Sequence, residues 1–383
     1  MRISRLELRN WKNFRKVDVE LSNRVFIVGP NACGKSNLLD VFRFLKRIAT
    51  TGFKEAVGER DGVSKIRCLA ARQYSDIEIE VEIISSEENI ASSDWRYRIA
   101  FNQDNLRNPK LKEEKVWCKD KLILNRPDDK DREDDARLYQ TALQQINANK
   151  PFREMAYFFK SVQYIHLVPQ LIRKPGVYSP REPITGDPYG SDFLGRLAET
   201  LQRTRESRLK RIQEVLKIAL PQLESLELKK DERGIPHLVG AYKHWRLHPT
   251  DQNEEQFSDG TLRLIGLLWA LTEGEGPLLL EEPELSLHAG FVKKLAPLIY
   301  RLQKRRKGRR QILISTHSSE LLFDKGIDAS EVLLLHPSQE GTKVQLAADD
   351  AEIRKLLESG MSVAEVVIPK SEPEKLEQLD LFR

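Results

Sequence analysis

The sequence predicts an α/β protein with a central, mostly parallel sheet, an antiparallel β layer near the N-terminus and a helical lobe in the middle of the chain. Three observations predict it. "RVFIV", "GPLLLE" and "RQILIST" are short apolar runs of the kind buried on both faces of a parallel sheet, and amphipathic helical stretches alternate with them. "DIEIEVEI" and "WRYRIAF" instead alternate apolar and polar residues, the period of half-buried antiparallel strands. Residues 191–220 carry a helical period, and "FSDGTLRLIGLLWALTEG" sets a Gly-containing turn directly before an apolar helix.

Each element follows from local residues. "RVFIVGPNACGKSNLLDVFRFL" reads as strand, turn and helix, with Leu38, Val41, Phe42, Leu45 and Ile48 on one helical face. "AGFVKKLAPLIYRLQKRRK" is an amphipathic helix between two buried strands. Residues 126–137, "RPDDKDREDDAR", form an acidic run expected to be a solvated loop or insertion. From Pro369 the pattern dissolves into Lys, Glu, Ser and Pro, the composition of a flexible tail. The expected segments are 1–170, an N-terminal part with the Gly-rich turn and antiparallel strands; 171–262, the helical lobe; 263–366, the C-terminal part; and 367–383, the tail.

Length and composition bound the function. A chain of 383 residues exceeds one core of roughly 250–300 residues, so two lobes are expected. With 32% charged and 40% hydrophobic residues, it has ample core beneath a charged surface. Lys and Arg number 63 against 58 Asp and Glu, a net charge of +5 that permits contact with phosphate backbones without requiring it. Cys33, Cys68 and Cys118 have neither disulfide density nor metal-ligand spacing, which points to a reducing, cytoplasmic setting. "MRISRLELRNWKNF" lacks a signal-peptide core, and "LIGLLWAL" is too short to span a bilayer, so no membrane association is expected.

"GPNACGKS", residues 29–36, matches the G-x-x-x-x-G-K-S phosphate loop and lies between a strand and a helix, as that motif requires. Gly29 and Gly34 let successive backbone amides turn toward the β and γ phosphates, and the helix N-terminus adds positive potential. Lys35 adds a point charge, and Ser36 offers a hydroxyl to Mg²⁺, a hard cation that prefers oxygen. In "PLLLEEPELSLH" a buried strand ends on Glu281 and Glu282, at the strand end where open α/β sheets bind ligands. Glu281 then suits Mg²⁺, and Glu282 suits the water that attacks a γ phosphate. Ser258, Asp259 and Gly260 in "FSDGTLRL" open a further helix, a second anion-presenting N-terminus that a single bound nucleotide does not need; an ordinary helix cap reads the same.

In the order phosphate loop, "FSDGT", "EEPE" and "THSSE", the sequence resembles ABC-type ATPases, specifically the SMC-like and RecF-like branch and its bacterial AAA-type relatives found in DNA repair and antiphage defence. The resemblance covers roughly residues 1–345, and "RISRLELRNWKNFRKVDVEL" is similar to the family's opening strand pair. It implies an ABC-type ATPase head. ATP and Mg²⁺ would be its cofactors, with Gly29, Asn31, Gly34, Lys35, Ser36 and Asn37 at the nucleotide. Ser258, Asp259 and Gly260 would close on the γ phosphate bound by a second copy, making a homodimer glued by ATP. Glu282, His317 and Lys35 would be catalytic, while Ser36, Glu281 and the Q-loop Gln170 would serve the metal. Glu281 stands where many ABC ATPases have Asp, although "EEPE" with a later "LH" is common in this branch. No long coiled coil separates the motifs, which excludes a chromosome-condensing SMC architecture.

The resemblance implies an ATPase that dimerises on ATP and switches a DNA-linked process, antiphage defence with a separately encoded effector nuclease being the first expectation. Too little chain follows residue 345 for a Toprim-type nuclease domain, so cutting is expected of a partner. RecF-type repair is the alternative, and a transporter's nucleotide-binding subunit, which usually carries L-S-G-G-Q, comes after it. A P-loop GTPase needs N-K-x-D, and "NANKPF" lacks the Asp. "KRRKGRR", Lys304 to Arg310, is read as a solvated loop or as a contact to DNA phosphates. "QLDLF", Gln378 to Phe382, resembles the peptide by which repair proteins dock on a bacterial sliding clamp, with Leu381 and Phe382 as anchors. Packing of the same residues on the protein itself remains open.

Overall fold

The computed structural model of the chain describes residues 1–72, 74–85, 94–173, 187–243, 250–305 and 310–371. Strands β1 (Arg2–Trp11), β2 (Phe14–Glu20) and β3 (Arg24–Val28) lead into helices α1 (Lys35–Thr50), α2 (Phe53–Gly58) and α3 (Val63–Ile66). Four strands follow, β4 (Ile77–Ile84), β5 (Trp95–Gln103), β6 (Pro109–Cys118) and β7 (Lys121–Arg126), then α4 (Asp129–Glu133), α5 (Arg153–Ser161), β8 (Gln163–Ile165) and α6 (Pro169–Arg173). The middle holds α7 (Phe193–Glu199), α8 (Gln202–Ala219), β9 (Leu223–Lys230), β10 (Pro236–Tyr242) and β11 (Thr250–Asn253). Last come α9 (Asp259–Thr272), β12 (Leu278–Glu281), α10 (Ala289–Arg305), β13 (Ile312–Thr316), β14 (Val332–Ser338), β15 (Gly341–Leu346), α11 (Ala351–Glu358) and α12 (Val363–Ser371).

The chain divides into two compact units interleaved in sequence rather than into consecutive segments. The first comprises Met1–Val162, Glu275–Leu279 and Arg306–Arg383; the second comprises Gln163–Gly274 and Leu280–Arg305.

In the first unit the buried β3 pairs in parallel with β13 and β14, and β14 pairs antiparallel with β15. The strand order runs β15-β14-β3-β13-β12. Every residue of β3 and β13 is buried, which is why these stretches are dominated by the apolar runs VFIV and ILI. A second sheet, antiparallel throughout, has the order β2-β1-β4-β5-β6-β7. Its register stacks Val17, Leu8, Ile79 and Ile99 on one buried face. The other face is a lattice of opposed charges: Arg98 meets Glu78 at 2.9 Å, Glu80 at 3.1 Å and Glu113 at 2.7 Å. Between the sheets α1 buries Leu38, Val41, Phe42, Leu45 and Ile48, and Phe44 packs on Trp11 and Phe101 with ring centroids 5.2 and 5.6 Å apart.

Most of the acidic run is exposed, and Asp131 is its buried acid. Asp128 caps α4 in a reciprocal box with Asp131, and both oxygens of Asp131 accept from Arg126 at 2.9 Å. The same guanidinium donates to Glu114 at 2.9 Å, and the side chains of Glu114 and Asp131 are fully buried. Composition suggested a solvated loop. Arg126 satisfies both carboxylates internally, and the backbone amides of Ala142 and Leu143 complete Glu114.

In the second unit the stretch expected to be helical also carries a three-stranded antiparallel sheet, β11-β10-β9, against which α8 packs. Helix α9 is apolar nearly all round, and Leu262 to Leu271 are buried apart from Arg263. Such a helix belongs in an interior.

Candidate functional site

In the first unit the phosphate loop leaves β3 at Val28 and enters α1 at Lys35. Two residues take positive φ, Ala32 at 61° and Gly34 at 101°. A Cβ on Gly34 would stand 2.2 Å from the Asn13 amide, so that position admits only glycine. A Cβ on Gly29 would meet the Leu335 carbonyl of β14 at 2.7 Å. Asn13, in the β1–β2 turn, clamps the loop from outside: its Nδ2 donates to Cys33 O at 2.7 Å and Thr342 Oγ1 at 2.8 Å, and its Oδ1 accepts from Asn37 at 2.8 Å. Thr342 donates to the same Cys33 carbonyl at 2.8 Å. Asn37 is thereby a brace of the loop, and its carbonyl also accepts from the Trp11 indole at 2.9 Å. Burial pushes the Cys33 thiol up, so it stays protonated although Lys35 is near.

Lys35 is buried, and its ammonium donates to Gly29 O at 2.9 Å and Pro30 O at 3.1 Å. It lies curled within the loop, while Asn31 and Ser36 are exposed. Along α1, Asp40 binds Arg60 at 2.7 Å and Lys12 at 2.7 Å. Burial alone would raise its carboxyl, yet the two cations bring it down to about 2.

His317 comes to the same edge by strand register. Thr316 pairs with Val28 in the parallel β13–β3 ladder, so His317 leaves its strand level with Gly29, and its side chain is exposed. Parallel strands put their C-terminal ends on one edge, and that edge receives ligands.

In the second unit Glu281 closes β12, and Tyr164 of the neighbouring β8 donates its phenol to Glu281 Oε2. Glu282 follows in a left-handed conformation at φ 42°, and Ser286 does so at 61°. Non-glycine residues rarely hold that geometry, and it gathers at sites where a side chain must be aimed. The turn is tied by Leu285 N to Glu282 O at 3.2 Å and Leu287 N to Glu284 O at 3.1 Å. Ser286 brings its carbonyl onto the N-terminus of α9, where a Cβ on Gly260 would stand 2.6 Å from it. Gly260 is thus required by a close backbone approach. Ser258 caps α9, accepting from Thr261 N at 3.2 Å, and Asp259 binds Arg173 at 2.6 Å and Gln170 at 3.3 Å. One turn on, burial lowers Arg263 below its ordinary value against the opposing charges of Asp259, Glu282 and Glu284.

Within the first unit the phosphate loop and His317 converge, and within the second Gln170, the Ser258 turn and the Glu282–Ser286 turn do. Asn13, Thr342, Tyr164, Arg173 and Arg263 were missed by sequence reasoning. Only Asn13 had a signal there, in "NWKNF" between two strands. Among the described residues no group of three or more His, Cys, Asp or Glu is gathered for a metal ion.

The basic run is corrected at its end. Arg310 is buried, with Nε donating at 2.6 Å to the buried Gly276 carbonyl ahead of β12, an acceptor that has to be satisfied away from water. Lys304 is exposed over the Tyr300 ring, and 306–309 lie outside the described residues, as does the whole Gln378 to Phe382 peptide. No helix among the described residues is long and apolar enough to cross a membrane.

A phosphate loop on a parallel α/β sheet, an antiparallel layer and a Ser-capped second helix define the head fold of ABC-type ATPases. Solved structures share it: an SMC head bound to the C-winged helix domain of ScpA has a TM-score of 0.53 at 16% identity, covering 90% of this chain and 97% of that one. The Pyrococcus furiosus Smc head with an extended coiled coil, bound to the C-terminal domain of ScpA, gives 0.52 at 14% identity, covering 94% and 99%. The chain belongs to the family described as "AAA domain, putative AbiEii toxin, Type IV TA system", whose model matches residues 24–324.

Curated relatives match shorter stretches. The DNA replication and repair protein RecF of Synechocystis is 36% identical over 87 residues, 22% of this chain and 23% of its own length. Endonuclease GajA of Bacillus cereus is 30% identical over 106 residues, 25% and 18%. RecF of Clostridium beijerinckii is 26% identical over 173 residues, 43% and 42%. The chain therefore matches less than half the length of each of these relatives.

Proposed function

We propose that this chain binds and hydrolyses ATP with Mg²⁺ and uses ATP to join two copies, switching a DNA-linked process. The observation that carries the reading is the second capped helix N-terminus. Ser258 and α9 offer an anion-binding end in the second unit, while a complete phosphate loop already stands in the first. Two anion sites on one chain are economical if each serves a nucleotide held by a different copy.

In this reading the loop amides of 29–36 hold the phosphates, and Lys35 exchanges the Gly29 and Pro30 carbonyls for phosphate oxygens. Ser36 and Glu281 would hold Mg²⁺, which supplies charge neutralisation at the β and γ phosphates when bound. Glu282, aimed by its left-handed backbone, takes the proton of the attacking water, and His317 meets the γ phosphate. Gln170 links the metal side to the signature turn through Asp259.

The DNA-linked role rests on the likeness to the two RecF proteins and to an endonuclease, and on helix α8. That helix carries Arg203, Arg205, Arg208, Lys210, Arg211 and Lys217 against Glu206 and Glu214. Antiphage defence with a separate effector nuclease is the favoured setting, and RecF-type repair is the second. Docking of the "QLDLF" peptide on a sliding clamp would station the protein at replicating DNA. The decisive experiment compares Lys35→Ala and Glu282→Gln. Lys35→Ala abolishes ATP binding; Glu282→Gln keeps it, loses turnover and elutes as a dimer with ATP and Mg²⁺. A Glu282→Gln protein that binds ATP and stays monomeric overturns the dimer reading.

A further inference from the structure

We propose that Arg173 is a positioning residue that cancels the charge of Asp259, so that the Ser258 turn accepts the γ phosphate of ATP held by a second copy. The proposal rests on the dimer reading above. Asp259 is the first residue of α9, at the end whose free amides and helix dipole favour an anion. A carboxylate is well placed there for helix stability and badly placed for a nucleotide, since two anions competing for one pole repel.

The geometry resolves the conflict with one guanidinium. Arg173 Nη2 lies 2.6 Å from Asp259 Oδ1 and donates to Phe257 O at 2.6 Å. It therefore grips the residues on both sides of Ser258. Gln170, one turn earlier on α6, donates to the other carboxylate oxygen at 3.3 Å. Exposure of 22% for the Arg173 side chain and 40% for Asp259 leaves the pair partly screened yet open to an arriving phosphate. The segment bearing Gln170 thus sets both the charge and the conformation of the signature turn. Arg263 does not substitute for Arg173, because the charges around it include Glu282 and Glu284 as well as Asp259.

The test uses the full chain carrying Glu282→Gln and follows ATP-dependent dimerisation by sedimentation, with binding of a fluorescent ATP analogue as the folding control. Arg173→Ala is expected to weaken dimerisation at least about tenfold while analogue binding at the phosphate loop stays as in the parent. Arg173→Lys keeps the charge and most of the dimer. Removing the carboxylate as well, in Arg173→Ala with Asp259→Asn, restores dimerisation to within about threefold of the parent. A double variant as defective as Arg173→Ala overturns the proposal, since the arginine then acts through the Phe257 carbonyl alone. An Arg173→Ala protein that dimerises like the parent overturns it too. A parent that stays monomeric with ATP overturns the dimer reading itself, and with it this proposal.

Discussion

Replacing Asn13 by alanine tests whether the phosphate loop is held from outside. Three side-chain hydrogen bonds vanish, to Cys33 O at 2.7 Å, Thr342 Oγ1 at 2.8 Å and Asn37 Nδ2 at 2.8 Å. Neutral pairs contribute about 0.5–1.5 kcal/mol each, and the Cys33 carbonyl keeps Thr342 as donor, so the expected loss is about 2 kcal/mol. The loop also loses one of the two donors that fix Cys33 between the left-handed Ala32 and Gly34. Each 1.4 kcal/mol of that loss falling on the phosphate-binding conformation weakens ATP about tenfold. Urea unfolding at constant slope measures the first quantity, and titration with ATP measures the second. Asn13→Asp keeps the acceptor for Asn37, forfeits both donors and adds a negative charge beside the loop, so it should bind ATP more weakly than the alanine variant. Stability within about 0.5 kcal/mol of the parent together with unaltered ATP affinity would refute the clamp.

Gly260→Ala pushes a methyl group against the Ser286 carbonyl, 2.6 Å away, at an overpacking cost of about 1–3 kcal/mol. Because it shifts the Glu282–Ser286 turn, turnover should fall more than ATP binding, and a parental turnover number would show that the close approach is dispensable. Arg126→Ala strands the buried Glu114 and Asp131 and should cost about 3–5 kcal/mol by urea unfolding; a loss below about 1 kcal/mol would mean that the pairing stabilises little. Asp40 is held at about 2 in the fold against 3.8 unfolded, so its contribution is complete above about pH 4 and disappears as pH falls through about 2. That difference amounts to roughly 2 kcal/mol. Asp40→Asn should therefore trail the parent at pH 5 and approach it near pH 2, and a gap independent of pH would remove the assignment.

How much of this was legible from sequence depends on the range of the interaction that decides it. The phosphate loop, the Ser258 cap and the paired carboxylates at the end of β12 were readable because each is local: glycine spacing, a cap three residues from its amide, an apolar strand running into two acids. The alternation in "IEIEVEI" likewise marked β4 with one buried face. Asp131 within the acidic run was not readable, for the converse reason. Average composition speaks for solvation, whereas Asp131 finds Arg126 five residues back, and the same guanidinium holds Glu114 on β6. The sheet of the second unit went unread because β9, "LESLELKK", buries only Leu223 and Leu226 and shows little periodicity.

By itself, then, the sequence offered the chemistry: a phosphate loop, a second anion-presenting helix, two carboxylates and a histidine, in that order along the chain. Tertiary structure alone decided how those groups are aimed. Register places His317 level with Gly29, the Ser286 carbonyl requires Gly260, and Arg173 and Gln170 meet Asp259 across 86 and 89 residues of chain. The reason is physical: residue types and short spacings encode what a backbone turn can bind, while charge pairing and strand register arise between distant segments and exist only once they pack.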